Sequence, residues 1–301
     1  MSGESPHRAG FVAIVGRPNV GKSTLLNALL GLKLSIVSPK PQTTRHRILG
    51  VLTRPEFQIA LVDTPGLHSG AKRRLNQYMN RTAASSLADA DLVAFVVEAL
   101  RYGREDARVL ERIKSATRPA LLVINKVDQA QPRSQLLPFI AAMSERHAFL
   151  EVVPLSALKP DSAARLPAIL AAHLPESPAL YPPEQLTDRS DGFRTAEIIR
   201  EKLTLRLQQE LPYGLTVEIE RSQATEDDRL EIGAIIWVER QGQKAIVIGE
   251  GGLLLKEIGQ AARLELNRLY GRRTHLTLWV KVKDNWADSA NALKSFGYDG
   301  S

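Results

Sequence analysis

The chain has 301 residues, 44% of them hydrophobic and 24% charged, an ordinary balance for globular protein and enough length for two domains. The absence of cysteine excludes disulfides and thiolate metal sites. No apolar run is long enough to span a membrane or to serve as the core of a secretory signal, so the expected location is the cytosol. A net charge of +7 suggests an anionic partner, but the excess sits before Thr195, with 25 Lys and Arg against 17 Asp and Glu; the remainder is nearly neutral at 15 against 16.

Phe11 to Val15 is an apolar run of strand length, and Thr24 to Leu30 begins a helical pattern. Between them Gly16 to Thr24 reads GRPNVGKST, which fits G-x-x-x-x-G-K-[ST] through Gly16, Gly21, Lys22 and Ser23. Strand, glycine-rich turn and helix bring backbone N–H groups together on an anion at a helix N-terminus. Gly16 and Gly21 are expected to let the backbone approach phosphates closely. Lys22 is placed to reach the β- and γ-phosphates and Ser23 to ligate Mg²⁺, with Asn19, Val20 and Thr24 completing the expected nucleotide contacts.

Leu34 to Arg47, LSIVSPKPQTTRHR, shows no periodicity and reads as an exposed loop. Here a threonine would cap Mg²⁺ and the γ-phosphate; Thr44 is the first choice and Thr43 the alternative. Arg47 to Thr53 and Phe57 to Val62 read as paired strands joined through Arg54-Pro-Glu56. The second runs into Asp63-Thr-Pro-Gly66, forty-one residues after Lys22. Asp63 at a strand end is suited to hold Mg²⁺ through water, and the Gly66 N–H to meet the γ-phosphate. Lys22, Thr44 and Gly66 form the expected catalytic set, and Ser23, Thr44 and Asp63 the expected Mg²⁺ set.

A helix over Leu75 to Leu87, a strand over Leu92 to Val97, a helix near Arg104 to Ser115 and a strand over Ala120 to Ile124 follow. This alternation predicts a parallel sheet covered by helices, with ligands beyond the strands' carboxyl ends. Asn125-Lys-Val-Asp128 stands at such an end. Asp128 can accept from guanine N1–H and the exocyclic amine together, a donor pair that adenine lacks. Asn125 is expected to brace the loop and the Lys126 stem to lie across the base. Val152 to Leu155 leads into Ser156-Ala157-Leu158, where a backbone N–H would meet guanine O6.

The order of these elements resembles the translation-factor-like GTPases, and GRPNVGKS, PQTTR and DTPGL look most like the Era family of bacterial GTPases. The resemblance implies GTP and GDP as ligands, Mg²⁺ as cofactor, and slow intrinsic hydrolysis. Where small regulatory GTPases carry a water-orienting glutamine, this chain has Leu67. An asparagine at the Asn19 position helps relatives bind K⁺, and that role is carried to Asn19.

Leu174 to Phe193 holds four prolines and reads as a semi-rigid connector. The expected domains are 1–174, a connector over 175–193, and 194–301. Arg194 to Gln209 is amphipathic, Leu215 to Glu220 and Leu230 to Arg240 read as strands, and Thr225 to Asp228 as an acidic turn. Gly249-Glu250-Gly251-Gly252 fits G-x-x-G, a pattern equally found in ordinary turns before helices. Periodicity leaves Lys244 to Ile248 open between strand and helix.

Resemblance resolves both points, since this half is similar to the type II KH domain that follows the GTPase in the Era family. It implies a short helix over Lys244 to Ile248, a clamp loop for single-stranded RNA over Gly249 to Gly252, a second helix over Leu253 to Tyr270 and a strand over His275 to Val282. Between Arg240 and Lys283 there are nine Lys and Arg against three Asp and Glu. Lys256, Arg263, Arg272, Arg273, Lys281 and Lys283 are candidate phosphate contacts. Glu250 departs from relatives that carry a basic residue there.

The implied fold class is α/β, a P-loop GTPase with a doubly wound, mostly parallel sheet, followed by a smaller α+β type II KH domain. The implied partners are small-subunit ribosomal RNA near its 3′ end and the small ribosomal subunit, with assembly as the process, a monomer as the acting form, and peripheral contact with the inner face of the membrane. A rival reading is an RNA-binding scaffold in which nucleotide reports energy status.

Overall fold

In a computed structural model, which describes residues 7–66, 73–208 and 211–298, the apolar runs of the first half become one six-stranded sheet. Its strands are β1 (Arg8–Val15), β2 (Ile48–Thr53), β3 (Phe57–Asp63), β4 (Leu92–Glu98), β5 (Ala120–Asn125) and β6 (Val152–Pro154), in the order β2-β3-β1-β4-β5-β6. Only β2 runs antiparallel to its neighbour. Connecting helices are α1 (Lys22–Leu30), α2 (Arg74–Ala88), α3 (Arg104–Ala116), α4 (Leu136–Ser144), α5 (Pro160–Ala163) and α6 (Leu166–Ala172). Every residue of β4 and β5 is buried, as expected of strands covered on both faces.

Register decides where chemistry collects. Ile14 pairs with Asp63 and Glu98 with Asn125, so the carboxyl ends of β1, β3, β4 and β5 share one edge. The chain order reverses around β1, which puts the crevice of a doubly wound sheet beside the Gly16–Gly21 turn.

The chain divides into two compact units. The described residues of Met1–Ser35, Thr44–Gly70 and Met79–Asp188 form the first; those of Ile36–Thr43, Ala71–Tyr78 and Arg189–Ser301 form the second. The proline-dense stretch up to Asp188 is built onto the first unit's sheet. Gln58, fully buried in β3, donates to the Tyr181 carbonyl at 2.9 Å and accepts from the Leu180 and Tyr181 N–H groups. Val51 N–H donates to the Leu186 carbonyl, and the Thr187 hydroxyl to that of Leu49.

The second unit is a mixed three-stranded sheet of β7 (Leu215–Ala224), β8 (Leu230–Val238) and β9 (Thr274–Val282) with helices α7 (Asp191–Arg206), α8 (Gln241–Ile248), α9 (Leu253–Tyr270) and α10 (Ala290–Ser295). Lys244 to Ile248 is thus helical, as the resemblance implied. Ile232, Ala234, Ile236 and Val238, every second residue of β8, bury against Ile198, Ile199 and Leu203 of α7 and Ile258, Ala262 and Leu266 of α9.

Trp286 anchors the chain after β9, where no element was foreseen. It is fully buried, stacks on Tyr298, meets Phe296 edge-on and donates its indole N–H to the Gly214 carbonyl at 3.1 Å. Trp286→Ala should cost the second unit about 3–5 kcal/mol. All three tryptophans lie in that unit, so urea unfolding followed by the fluorescence of Trp237 and Trp279 reads the change directly.

Candidate functional site

In the first unit the sequence from Gly16 to Ser23 forms a turn around its own lysine. Lys22 is buried, and its ammonium donates to the Gly16 carbonyl at 3.0 Å and the Arg17 carbonyl at 3.1 Å. Burial pushes its pKa down to about 8, a shift opposed by Asp63 and reinforced by Arg17. The two glycines have reasons beyond phosphate approach. A Cβ on Gly16 would stand 2.4 Å from the Val96 carbonyl oxygen, and one on Gly21, at φ +100°, 2.3 Å from the Asn125 amide nitrogen.

Ser23, Thr44 and Asp63 converge. Ser23 Oγ lies 2.7 Å from Asp63 Oδ2 and 2.9 Å from Thr44 Oγ1, and Thr44 Oγ1 is 3.4 Å from Asp63 Oδ2. Ser35, which sequence reasoning missed, also donates to Asp63 Oδ2, at 2.9 Å. Thr43 turns back on its own loop and donates to the Lys40 carbonyl. Burial raises the Asp63 pKa, opposed by Lys22 and the three hydroxyls. Its second oxygen, Oδ1, is buried without a protein partner. Two hydroxyls and a carboxylate with a spare oxygen suit a hard, oxygen-seeking cation such as Mg²⁺. Among the described residues no group of three or more His, Cys, Asp or Glu could hold a metal, so such an ion here depends on further oxygens from a phosphate. Gly66 packs against Pro18, with its absent Cβ 3.0 Å from the ring, at the mouth of the same turn. Leu67 lies outside the described residues.

At the other end of the crevice the Asn125 carboxamide ties three loops. It donates to the Val20 carbonyl at 2.8 Å and accepts from the Lys126 N–H at 2.8 Å and the Ala157 N–H at 2.9 Å. Lys126 reaches across to the Asn19 carbonyl at 2.8 Å. Asp128 Oδ1 is buried with no protein partner, as is the Ser156 hydroxyl. The Ser156 N–H donates to Ser162 Oγ and the Ala157 N–H to Asn125, so an O6 contact from either would be shared with these partners. Thr24 sits in the first turn of α1, just behind Ser23.

Sequence reasoning also missed the ion pairs beneath this loop. Arg17 bridges Glu98 at 3.1 Å and Asp106 at 3.2 Å, and Glu98 holds Lys126 at 3.0 Å. Burial alone would raise the Glu98 carboxyl, but Lys126, Arg17 and Arg101 hold it below the usual range. Only the register that sets Glu98 beside Asn125 reveals this network.

In the second unit Gly249, Gly251 and Gly252 all have positive φ, of 73°, 55° and 79°. A Cβ on Gly249 would stand 2.7 Å from Leu254 Cβ, whereas Gly251 and Gly252 face open space. Behind Gly252 a groove of about 490 Å³ runs between α9 and β9, lined by Lys256, Gly259, Gln260, Arg263, His275 and Thr277 among others. The expected set is therefore divided. Gly252, Lys256 and Arg263 share the groove, with Glu250 exposed in the loop. Arg272 pairs with Asp228, Arg273 is exposed at the start of β9, and Lys281 stands by Glu220 and the Trp237 ring, off the groove. Lys283 lies over the Phe296 ring. His275, near the start of the edge strand β9, also lines the groove.

Asp128→Asn exchanges a carboxylate for an amide that donates as well as accepts. Guanine affinity should fall by at least about a hundredfold, and xanthine, with an oxo group in place of the exocyclic amine, should be preferred. Competition between GDP and XDP measures this. Lys22 gives a pH signature. A polyphosphate beside it raises its pKa above the free value of about 8. Its contribution to affinity is complete below the free value and is lost as pH rises through the raised, bound-state value. Calorimetry in buffers of different ionisation heat should show proton uptake on GTP binding at about pH 8.5 and almost none at about pH 6.5.

Residues 11–126 match the family described as 50S ribosome-binding GTPase, and residues 210–287 the KH domain family. GTPase Era of Xanthomonas campestris pv. campestris (strain B100) is 52% identical over 99% of this chain and 100% of its own. GTPase Era of Stenotrophomonas maltophilia (strain K279a) is 50% identical with the same coverage. Two crystal structures superimpose with a TM-score of 0.92 at 40% identity, covering 97% of this chain and 99% of theirs. One is a variant of Aquifex aeolicus Era bound to GDP.AlF4⁻; the other is Era in complex with MgGDPNP and nucleotides 1506–1542 of 16S ribosomal RNA. A P-loop sheet and a KH unit that match these proteins almost from end to end leave one conclusion: the chain belongs to the Era family of GTPases.

Proposed function

We propose that this chain is a GTP-controlled RNA binder that grips single-stranded small-subunit ribosomal RNA near its 3′ end and assists assembly of the small ribosomal subunit. As an Era-family GTPase it hydrolyses GTP, using Mg²⁺. The observation that carries the reading is the presence, in one chain, of the Ser23–Thr44–Asp63 cluster beside Lys22 and of a basic groove behind a three-glycine turn. The relative solved with MgGDPNP and 16S ribosomal RNA supports the choice of RNA.

In this reading the backbone N–H groups from Asn19 to Thr24 cradle the phosphates, and Lys22 exchanges its two carbonyl partners for phosphate oxygens. Mg²⁺, when bound, supplies charge neutralisation on the β- and γ-oxygens. Ser23, Thr44 and Asp63 are the groups that would hold it, and the Gly66 N–H would meet the γ-phosphate. Asp128 selects guanine, and Lys126, braced by Glu98, covers the base. Asn19, at φ 65°, is the residue we assign to K⁺. Loss of the γ-phosphate frees Thr44 and Gly66, and the preference for RNA changes with them. Action as a monomer in the cytoplasm and peripheral contact with the membrane surface belong to this proposal; no helix among the described residues is long and apolar enough to cross a membrane.

Because any side chain at Gly249 would collide with Leu254, the informative changes are at its neighbours. Gly252→Asp, which places a carboxylate in the groove, should weaken binding of an oligonucleotide carrying the 3′ end of 16S RNA by about tenfold or more, leaving GDP affinity unchanged. Glu250→Lys should strengthen it and steepen its salt dependence. Unchanged RNA affinity in both variants would remove the RNA-binding role from this loop.

A further inference from the structure

The segment that precedes Thr44 is not a free surface loop. Ile36–Thr43 belongs to the second unit, where α7 holds it at three points. Glu201 Oε1 accepts the Val37 N–H at 2.9 Å. Lys40 donates to the carbonyls of Thr204, at 2.6 Å, and Leu207. Thr204 is in the last turn of α7 and Leu207 follows it as the cap, where unpaired acceptors and the helix dipole favour a cation. Arg200 Nη2 donates to the Thr43 carbonyl at 2.5 Å.

Glu197, Arg200, Glu201 and Thr204 make one stripe of α7 at helical spacing, while Ile198, Ile199 and Leu203 make another in the unit's core. Arg200 is only 2% exposed, and its guanidinium is fixed by Glu197 through two contacts of 2.6 Å. A fork held this way aims its remaining N–H with little freedom.

The chain passes into the first unit at the Thr43–Thr44 peptide bond. That bond is a rigid plane, so fixing the Thr43 carbonyl fixes the direction in which Thr44 leaves it. Thr44 Oγ1 then stands 2.9 Å from Ser23 Oγ. On its other side α7 is tied to α9, because Lys202 bridges Glu201, at 2.7 Å, and Glu265. α9 is also the helix whose Lys256 and Arg263 line the groove.

We propose that Arg200 is a positioning residue for the GTP-bound state: it holds the Thr43 carbonyl so that Thr44 is presented to the magnesium–triphosphate, and it makes that presentation answer to α7. RNA bound along α9 then biases Thr44 through the Glu265–Lys202–Glu201 ladder and Arg200. By linkage, GTP biases RNA affinity by the same factor. The inference rests on Thr44 as a Mg²⁺ ligand, the reading proposed above.

Removing Arg200 alone would take from the Glu197 carboxylate its fork of two contacts, so the pair is replaced together as Glu197→Met with Arg200→Met, and Lys40→Met is made separately on the same grip. GDP binding does not call on Thr44, and both variants should keep GDP affinity and thermal midpoint close to wild type. Their preference for a non-hydrolysable GTP analogue over GDP in Mg²⁺ should fall by about tenfold, kcat should fall with it, and 16S 3′-end RNA should bind the two nucleotide states equally. Arg200→Lys, which keeps the charge beside Glu197 but not the fork, should also fold like wild type and show the same loss of preference. Thr44→Ala separates the two ideas. If it leaves the preference intact, the Mg²⁺ role of Thr44 is wrong. If Thr44→Ala abolishes the preference while folded Lys40→Met and Glu197→Met with Arg200→Met keep it, Arg200 has no positioning role.

Discussion

The Asn125 carboxamide uses one N–H donor and both acceptor positions inside the protein, on Val20, Lys126 and Ala157. These belong to three loops far apart in sequence, and all three line the nucleotide crevice. A neutral amide bonded three ways in a buried setting is a strong geometric constraint, because any shift of one loop leaves a polar group unpaired. The lack of a Cβ on Gly21 is what lets this amide reach the phosphate loop. The phosphate turn and the base-selecting loop are therefore set to each other before any ligand arrives, which lowers the ordering that binding must impose.

Against that rigid frame the cluster of Ser23, Thr44 and Asp63 is arranged differently. Asp63 is buried, and its free oxygen and three neighbouring hydroxyls leave it short of the ionic partner that a buried carboxylate needs. Lys22 is likewise buried and held only by carbonyls. Both charges are thus poorly compensated by the protein alone, a familiar state for groups whose partners are a phosphate and a cation. Of the groups around Asp63, Thr44 alone sits on a segment whose preceding residue belongs to the other unit.

The strands were legible because their apolar runs are local, and the phosphate and base motifs because each is a contiguous peptide. Lys22, Ser23, Asp63, Asn125 and Asp128 could be named from spacing alone. Other parts of the site could not. Glu98 reads as the polar end of an apolar strand until the β4–β5 register sets it beside Lys126. Ser35 is one serine in a loop without periodicity until it meets Asp63. Gln58 inside a buried strand gave no hint that it fastens the proline-rich stretch at Leu180 and Tyr181. The basic residues after Arg240 counted together in sequence, yet among them Lys256 and Arg263 share the groove, while Lys281 lies farther along β9, in register with Trp237.

The amino-acid sequence by itself determined the sheet, the nucleotide chemistry and the choice of guanine, since each depends on residues adjacent along the chain or at a fixed helical or strand period. The tertiary structure alone decided which threonine faces Ser23, which cations face the groove, and that the segment before Thr44 is held by α7. Those depend on pairs such as Arg200 with Thr43, more than 150 residues apart. No periodicity encodes such a pair; folding brings it together because a buried guanidinium must find acceptors for its donors.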